Sequence, residues 1–306
     1  MAQPATRVDV EVAGRTLSLS NLDKVLYPVT GTTKGQVIDH YARVAPVLLP
    51  HLRGRPVTLL RFPNGVDAPS FFEKNAPSHR PEWLRTAEVW SNSGAKSIQF
   101  CLLEEPAALV WTANLAAIEL HPSLARHPAL AEPTMVVFDL DPGPPADVLT
   151  CARVALWLRE ALDRLGLAVW VKTSGSKGLQ AYVPLNTPTD YERTKPFALA
   201  IGELLARVHP ELVLTEMTKA SRTAKVFVDW SQNSLTKTTV SVYSLRARER
   251  PWVSTPLTWG EVEAAVEAQD AGLLRFEASD VHERIDRLGD LFAPLLTTEQ
   301  TLPAFA

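Results

Sequence analysis

The sequence predicts an α+β fold and not a doubly wound parallel sheet. Two observations carry this: helical and strand-like periodicities interleave along the chain, and many of the strand-like runs are joined by hairpin-type turns. With 306 residues and 46% hydrophobic side chains, the chain can fill one large domain or two closely joined modules.

Residues 8–19 alternate as a hairpin about Ala13-Gly14, and residues 21–27 read as a short helical turn stopped by Pro28. Thr33 and Gln36 have capping-box spacing, and Val37, Tyr41, Val44, Ala45 and Leu48 extend an amphipathic helix to about Leu52. Residues 56–62 form a strand turned by Pro63-Asn64-Gly65, and Phe71-Phe72-Glu73-Lys74-Asn75 follows in loop-like sequence. Residues 88–91 and 97–101 read as strands, and residues 106–120 as a helix ending before His121-Pro122. Asp147 caps a helix with the buried stripe Val148, Ala152, Ala155, Leu158, Leu162 and Leu165, stopped by Gly166. Residues 169–173 and 179–185 are strands joined by Ser174-Gly175-Ser176-Lys177-Gly178. A helix capped by Asp190 runs to His209, residues 225–230 form a strand, Thr258 and Glu261 box the start of a helix to about Gln269, and a last helix covers about 281–288.

The net charge of −3 argues mildly against a nucleic-acid binder, but its distribution is uneven. Residues 172–250 carry 12 basic and 7 acidic groups (+5), and residues 251–306 carry 3 and 10 (−7). The middle of the chain therefore suits an anionic substrate, and its end is a solvated acidic face. No apolar run reaches the ~18 residues of a membrane span, and the N-terminus has no secretory pattern. Cys101 and Cys151 lie too far apart in sequence for a disulfide framework or a cysteine zinc site. A cytosolic protein without membrane association is expected.

The run Met135-Val136-Val137-Phe138-Asp139-Leu140-Asp141-Pro142 carries the chemistry. On a strand, residues i and i+2 share a face, so Asp139 and Asp141 project together while Phe138 and Leu140 turn into packing. The pair is either a metal site or a solvated strand end. Asp229, on a later strand, offers a third hard oxygen ligand suited to Mg²⁺ or Mn²⁺. Two such ions ~3.5–4 Å apart serve phosphoryl transfer. The turn from Ser174 to Gly178 supplies hydroxyls, glycines and a lysine for a polyphosphate. It is no P-loop, since it enters a strand and lacks the Gly-Lys-Ser/Thr ending. Lys219, Arg222, Lys225, Lys237, Arg246 and Arg248 add positive charge downstream. No nucleophile elbow, dinucleotide fingerprint or zinc-protease motif is present. These residues point to metal-dependent nucleotidyl or phosphoryl transfer.

Three motif groups resemble the polymerase domain of bacterial ATP-dependent DNA ligase D, in the archaeo-eukaryotic primase superfamily. They are Asp139-Leu140-Asp141-Pro142; Lys172-Thr173-Ser174-Gly175-Ser176-Lys177-Gly178-Leu179; and Val228-Asp229-Trp230-Ser231-Gln232-Asn233 with Tyr243-Ser244-Leu245-Arg246. Asn21-Leu22-Asp23-Lys24-Val25-Leu26-Tyr27-Pro28, Phe71-Phe72-Glu73-Lys74-Asn75 and Ile118-Glu119-Leu120-His121-Pro122 match in order, and the resemblance spans about residues 8–295. It implies a primase-polymerase fold in a single domain, 1–306. An N-terminal αβ module (about 8–130) would pack on an RRM-like catalytic module (about 131–250) across a central cleft of mixed and antiparallel sheets, with 251–306 as an acidic helical part packed on it. It implies addition of ribo- or deoxynucleotides at DNA ends and in short gaps during non-homologous end joining. Asp139, Asp141 and Asp229 would be catalytic metal ligands for two Mn²⁺ or Mg²⁺ ions. Ser174, Lys177, Gln180, Arg222, Lys237 and Arg246, with His121 and Gln232 nearby, would hold the nucleoside triphosphate. Lys24 and Lys34 would take a 5′-phosphate; Phe72 or Phe71, with Lys74 beside them, would meet the template. The partners implied are gapped or 5′-phosphorylated DNA, DNA ligase and Ku, at the nucleoid.

Many superfamily members carry His where this chain has Gln180, and a glutamine can donate to a phosphate but cannot be a cation. No ligase nucleotidyl-transfer motif and no nuclease accompany the polymerase region, so the chain reads as a stand-alone paralogue or as the polymerase part of a fusion. A catalytically weak end-binding module that recruits ligase or Ku, or a primase, are the alternatives.

Overall fold

A hairpin of β1 (Arg7–Val12) and β2 (Arg15–Ser20) opens the chain, turned by Ala13 and Gly14 at positive φ, the conformation a two-residue hairpin loop demands. The computed structural model describes residues 7–91 and 96–303. Next, β3 (Val25–Tyr27) pairs with β4 (Thr32–Thr33), and Thr33 caps α1 (Lys34–Leu52) in the expected capping box. Of the helical turn expected over 21–27, a turn closes from Asn21 to Lys24, and Val25–Tyr27 are instead this strand. Val25 and Tyr27 favour extended backbone, and pairing with β4 settles their conformation.

The next elements are β5 (Pro56–Arg61), β6 (Phe71–Glu73), β7 (Thr86–Ser91), β8 (Lys96–Leu102), α2 (Pro106–Asn114) and β9 (Ala117–Pro122). They form a five-stranded antiparallel sheet in which β5 bonds β6, β8 and β9. Two expectations are corrected here. Phe71 to Glu73 are not loop but an edge strand on β5. The helix expected to reach Leu120 ends at Asn114; Ala116 turns at φ 57°, and the chain leaves as β9. Nearly every residue from Ala107 to Leu120 is buried, so an apolar run on all sides carried no period to separate helix from strand.

The rest of the chain gives β10 (Met135–Pro142), α3 (Val148–Asp163), β11 (Trp170–Thr173), β12 (Leu179–Pro184), α4 (Tyr191–Val208), β13 (Val213–Leu214), β14 (Val226–Asp229), β15 (Pro256–Leu257), α5 (Trp259–Ala268) and α6 (Ala278–Leu288). The second sheet runs β13-β14-β10-β12-β11-β15, antiparallel but for the β13–β14 pair. Asp147 caps α3 as expected, but Leu165 is exposed because the helix stops at Asp163. No helix among the described residues is long and apolar enough to cross a membrane.

Two apolar cores form, and β10 lies between them. Val136, Phe138 and Leu140 pack with Leu158 of α3 and Phe197 of α4. Met135 and Val137 join Tyr41, Leu120 and Tyr243 in the other core. The acidic tail docks on this second core: Asp290 accepts from His51 Nε2 at 2.8 Å and from Tyr243 OH at 2.7 Å.

Pairing between β10 and β14 begins only at Asp139. Before that point Asn233 replaces the missing strand. Its Oδ1 accepts from Val137 N at 2.9 Å and its Nδ2 donates to Val137 O at 2.7 Å, fully buried. Asn233→Ala strands both backbone groups, at about 1–3 kcal/mol each. Chemical denaturation is expected to show a loss of about 2–6 kcal/mol, with the slope against denaturant unchanged.

Candidate active site

One face of the second sheet carries a row of polar side chains at matched register. Lys172 of β11 stands opposite Gln180 of β12, Gln180 opposite Asp139 of β10, and Asp139 opposite Asp229 of β14. Directly opposed side chains on antiparallel strands have Cβ atoms about 4.5–5.5 Å apart. Asp141 continues the face of Asp139 two residues on. The strand period therefore brings the three acids to one place.

The turn between β11 and β12 folds over this row. Ser174 Oγ accepts from Ser176 N and Gly178 N at 3.2 Å each, so the hydroxyl shapes the turn itself. Gly175 has φ 66°, and a Cβ there would lie 2.6 Å from Arg246 Cγ; a Cβ on Gly178 would lie 1.9 Å from the carbonyl oxygen of Leu140. Only glycine admits so close a contact with the acid-bearing strand. Arg246 donates from Nη1 to the carbonyl of Ser174 and pairs through Nε with Glu119 Oε1 at 3.1 Å. Glu119 also accepts from Ala247 N and His121 Nε2, both at 2.9 Å. Burial alone would raise its carboxyl, but His121 and Arg246 hold it down at about 2. Glu119 had no assigned role. Read as helix, positions 119 and 121 diverge; on a strand they share a face.

A cavity of about 550 Å³ opens beside the row. Asp139, Asp141, Ser174, Lys177, Gln180, His121, Gln232, Lys237, Arg246, Phe72 and Lys74 line it, so most of the expected residues converge. Asp229, Arg222, Phe71, Lys24 and Lys34 do not. Arg222 stacks on Phe227, the register partner of Asp141, at 3.8 Å and lies 3.9 Å from Asp141, beside the acids and outside the cavity lining. The side chain of Lys219 falls outside the described residues. Phe72 is exposed at the rim, edge-on to His121, whereas Phe71 lies under Arg61. Thr58, unforeseen in the sequence, lines the cavity with a buried hydroxyl that meets no hydrogen-bond partner among the described residues. A buried polar atom of this kind calls for a partner from outside the chain.

The acids are short of positive charge. Desolvation and the facing Asp141 push Asp139 up to about 7, with Asp229 adding to the effect and Gln180 opposing it. Asp141, at the open lip, is raised by partial desolvation and by Asp229, and Arg222 pulls it back. A divalent ion would relieve this repulsion, and hard carboxylate oxygens fit Mg²⁺ or Mn²⁺. Among the described residues no three Asp, Glu, His or Cys side chains stand ready as a metal cage. Asp229 accepts from Ser231 N at 3.0 Å, Ser231 Oγ at 2.6 Å and Gln232 Nε2 at 2.9 Å, and would exchange these to join its neighbours.

Lys24 and Lys34 form a separate cationic pair. The backbone N–H of Lys34 donates to Lys24 O at 2.8 Å, and burial together with the Lys24 charge lowers the Lys34 amine to about 8. Lys34 Nζ donates to Ser20 O at 2.5 Å, and Lys24 Nζ to Asn64 Oδ1 at 2.9 Å. Two lysines held together against their repulsion suit an anion.

A family model described as LigD, primase-polymerase domain, matches residues 33–292. The chain is 43% identical over 289 residues to the multifunctional non-homologous end joining DNA repair protein LigD of Mycobacterium tuberculosis H37Rv, covering 91% of this chain and 37% of that protein. It is 31% identical over 291 residues to the bifunctional non-homologous end joining protein LigD of Bacillus subtilis, covering 95% and 46%. The chain thus spans less than half the length of these curated relatives. The solved polymerase domain of Mycobacterium tuberculosis ligase D in complex with DNA superposes with a TM-score of 0.85 at 42% identity, covering 92% of this chain and 98% of that one.

Glu119→Ala leaves the enclosed Arg246 without its anion, which costs about 3–5 kcal/mol when one partner of a buried pair is removed. Thermal unfolding is expected at a lower temperature. Arg246→Met combined with Glu119→Ala is expected to recover part of that loss.

Proposed function

The chain belongs to the LigD primase-polymerase domain family, and on that basis we propose that it is a DNA-directed nucleotidyltransferase that adds nucleotides to primer ends and fills short gaps in non-homologous end joining. The observation that carries this reading is the cross-strand set of Asp139, Asp141 and Asp229 beside a cationic cavity of polyphosphate size. Asp139, Asp141 and Asp229 would hold divalent cations, a pair of Mn²⁺ or Mg²⁺ ions. The chemistry such a pair supplies when bound is activation of the attacking oxygen and stabilisation of the leaving one.

Lys177, Lys237 and Arg246 face the cavity and neutralise the triphosphate, and the turn from Ser174 to Gly178 shapes its wall. The 3′-hydroxyl oxygen of the primer bonds to the α-phosphorus, the bond to the β-phosphate oxygen breaks, pyrophosphate leaves and the hydroxyl proton passes to solvent. His121, fixed by Glu119, and Gln232 stand within the same walls. Phe72 and Lys74 at the rim suit the template base and backbone, since aromatic faces stack on any base. Arg222 acts from the side, on Asp141. The pair Lys24 and Lys34 suits the 5′-phosphate across a gap. On this reading the protein works on DNA at the nucleoid, as one domain, alongside DNA ligase and Ku.

The same lysine pair also supports a second reading, a 5′-phosphate-binding module with little catalysis. Extension of a gapped primer-template with Mn²⁺ separates the two. Wild type is expected to extend, and Asp139→Ala to lose at least about 100-fold, the scale of removing one preorganised transition-state contact. Tight, 5′-phosphate-dependent binding without extension would sink the polymerase reading. A start on an unprimed template would identify a primase.

A pH test follows from Lys34. Its lowered amine loses the proton at lower pH than an ordinary lysine, so the cationic, phosphate-binding form is present below about 8 and lost above it. Affinity for 5′-phosphorylated ends is expected to fall as pH rises through that value. Fluorescence anisotropy with Lys34→Arg, whose charge persists, should show a flat profile over the same range.

A further inference from the structure

The polar row on the second sheet ends in a buried lysine that the proposed polymerase chemistry does not use. We propose that Lys172 is a positioning residue: through the amide of Gln180 it fixes the side chain of Asp139. This rests on the reading of Asp139 as a metal ligand.

Lys172 is only 1% exposed. Its Nζ donates to Gln180 Oε1 at 2.6 Å and to Ser254 Oγ at 2.5 Å, with the ring of Tyr182 at 5.6 Å. Ser254 Oγ donates its own proton to Thr173 O at 2.9 Å, so toward Lys172 it can only accept. Both bonds need N–H donors alone, which the ammonium and the neutral amine each provide. Gln180 Oε1 also lies 3.2 Å from Tyr182 OH. A glutamine amide has one acceptor end and one donor end. With its oxygen held by Lys172 on β11, the NH₂ end of Gln180 is left for the opposite side, where its register partner on β10 is Asp139. A half-turn of the amide would set its oxygen against the Asp139 carboxylate and withdraw the acceptor that Nζ meets at 2.6 Å.

Gln180 is therefore engaged within the sheet. Its amide serves the acid, and contact with the triphosphate falls to Lys177, Lys237 and Arg246. Partners of this kind behind a metal ligand typically change metal affinity or activity by 10–100-fold when removed.

The test is Mn²⁺ binding to the nucleotide-free protein, followed by electron paramagnetic resonance of the free ion, for wild type, Lys172→Met, Gln180→Leu and the double variant. Each single change is expected to weaken Mn²⁺ binding about tenfold or more. The double variant should be no worse than either single one, because the two residues act in one chain of contacts. At saturating Mn²⁺, kcat should fall while the nucleotide KM stays within about twofold, the pattern of a group that does not bind substrate. Unchanged Mn²⁺ affinity in Lys172→Met, a rise confined to nucleotide KM, or losses that multiply in the double variant would each overturn the inference. Gln180→Leu leaves Lys172 anchored on Ser254 and carries the comparison if Lys172→Met does not fold. Asp139→Ala checks the underlying reading: wild type that binds no Mn²⁺ through Asp139 defeats that reading. Asp139-dependent binding that is indifferent to Lys172 defeats only this inference.

Discussion

The structure depends on one strand being shared by two cores. β10 sends Val136, Phe138 and Leu140 into the helices on one side and Met135 and Val137 into the core on the other. A shift of one residue would exchange the two sets and bury the acids among leucines. Register is thus enforced by hydrophobic packing on both faces. Asp139 and Asp141 emerge where the face of Met135 and Val137 runs out of core. The position of the acids is a by-product of apolar packing, completed at the strand's edge by the side chain of Asn233.

Electrostatics follows from that placement. Gathered by register beside Asp229, Asp139 and Asp141 are both raised by burial and by the neighbouring acids, and the cations around them differ in what they serve. Lys172 is spent on Gln180 and Ser254, away from the cavity. Arg246 braces the wall through Glu119 and the carbonyl of Ser174 and still lines the cavity, which Lys177, exposed at the tip of its turn, also faces. The hydroxyl of Thr58 is a further unspent group in that wall.

Much of this was legible in the chain itself, for physical reasons. Strand alternation in residues 135–142, the capping box at Thr33 and the cap at Asp147 are local signals, and each folds as its spacing dictates. Residues 25–27, 71–73 and 117–120 depart from expectation because their conformation is decided by a partner strand elsewhere. The run through α2 and β9 is mostly apolar and buried on nearly all sides, so neither period is visible in it. That error hid Glu119 at the centre of the site. In sequence Lys172 is only the residue that leads into Thr173-Ser174-Gly175. Nothing in its neighbours along the chain reveals that it faces Gln180 and Ser254, 8 and 82 positions away.

The contact of Arg246 with Glu119 on the first sheet and with the Ser174 turn on the second has a mechanical consequence. Spreading the two sheets apart means breaking that enclosed pair and the bond to the Ser174 carbonyl together. The cleft is thus tied across its width at one arginine, and the side chains at its opening that stand free of the tie, such as Phe72 and Lys177, are the exposed ones.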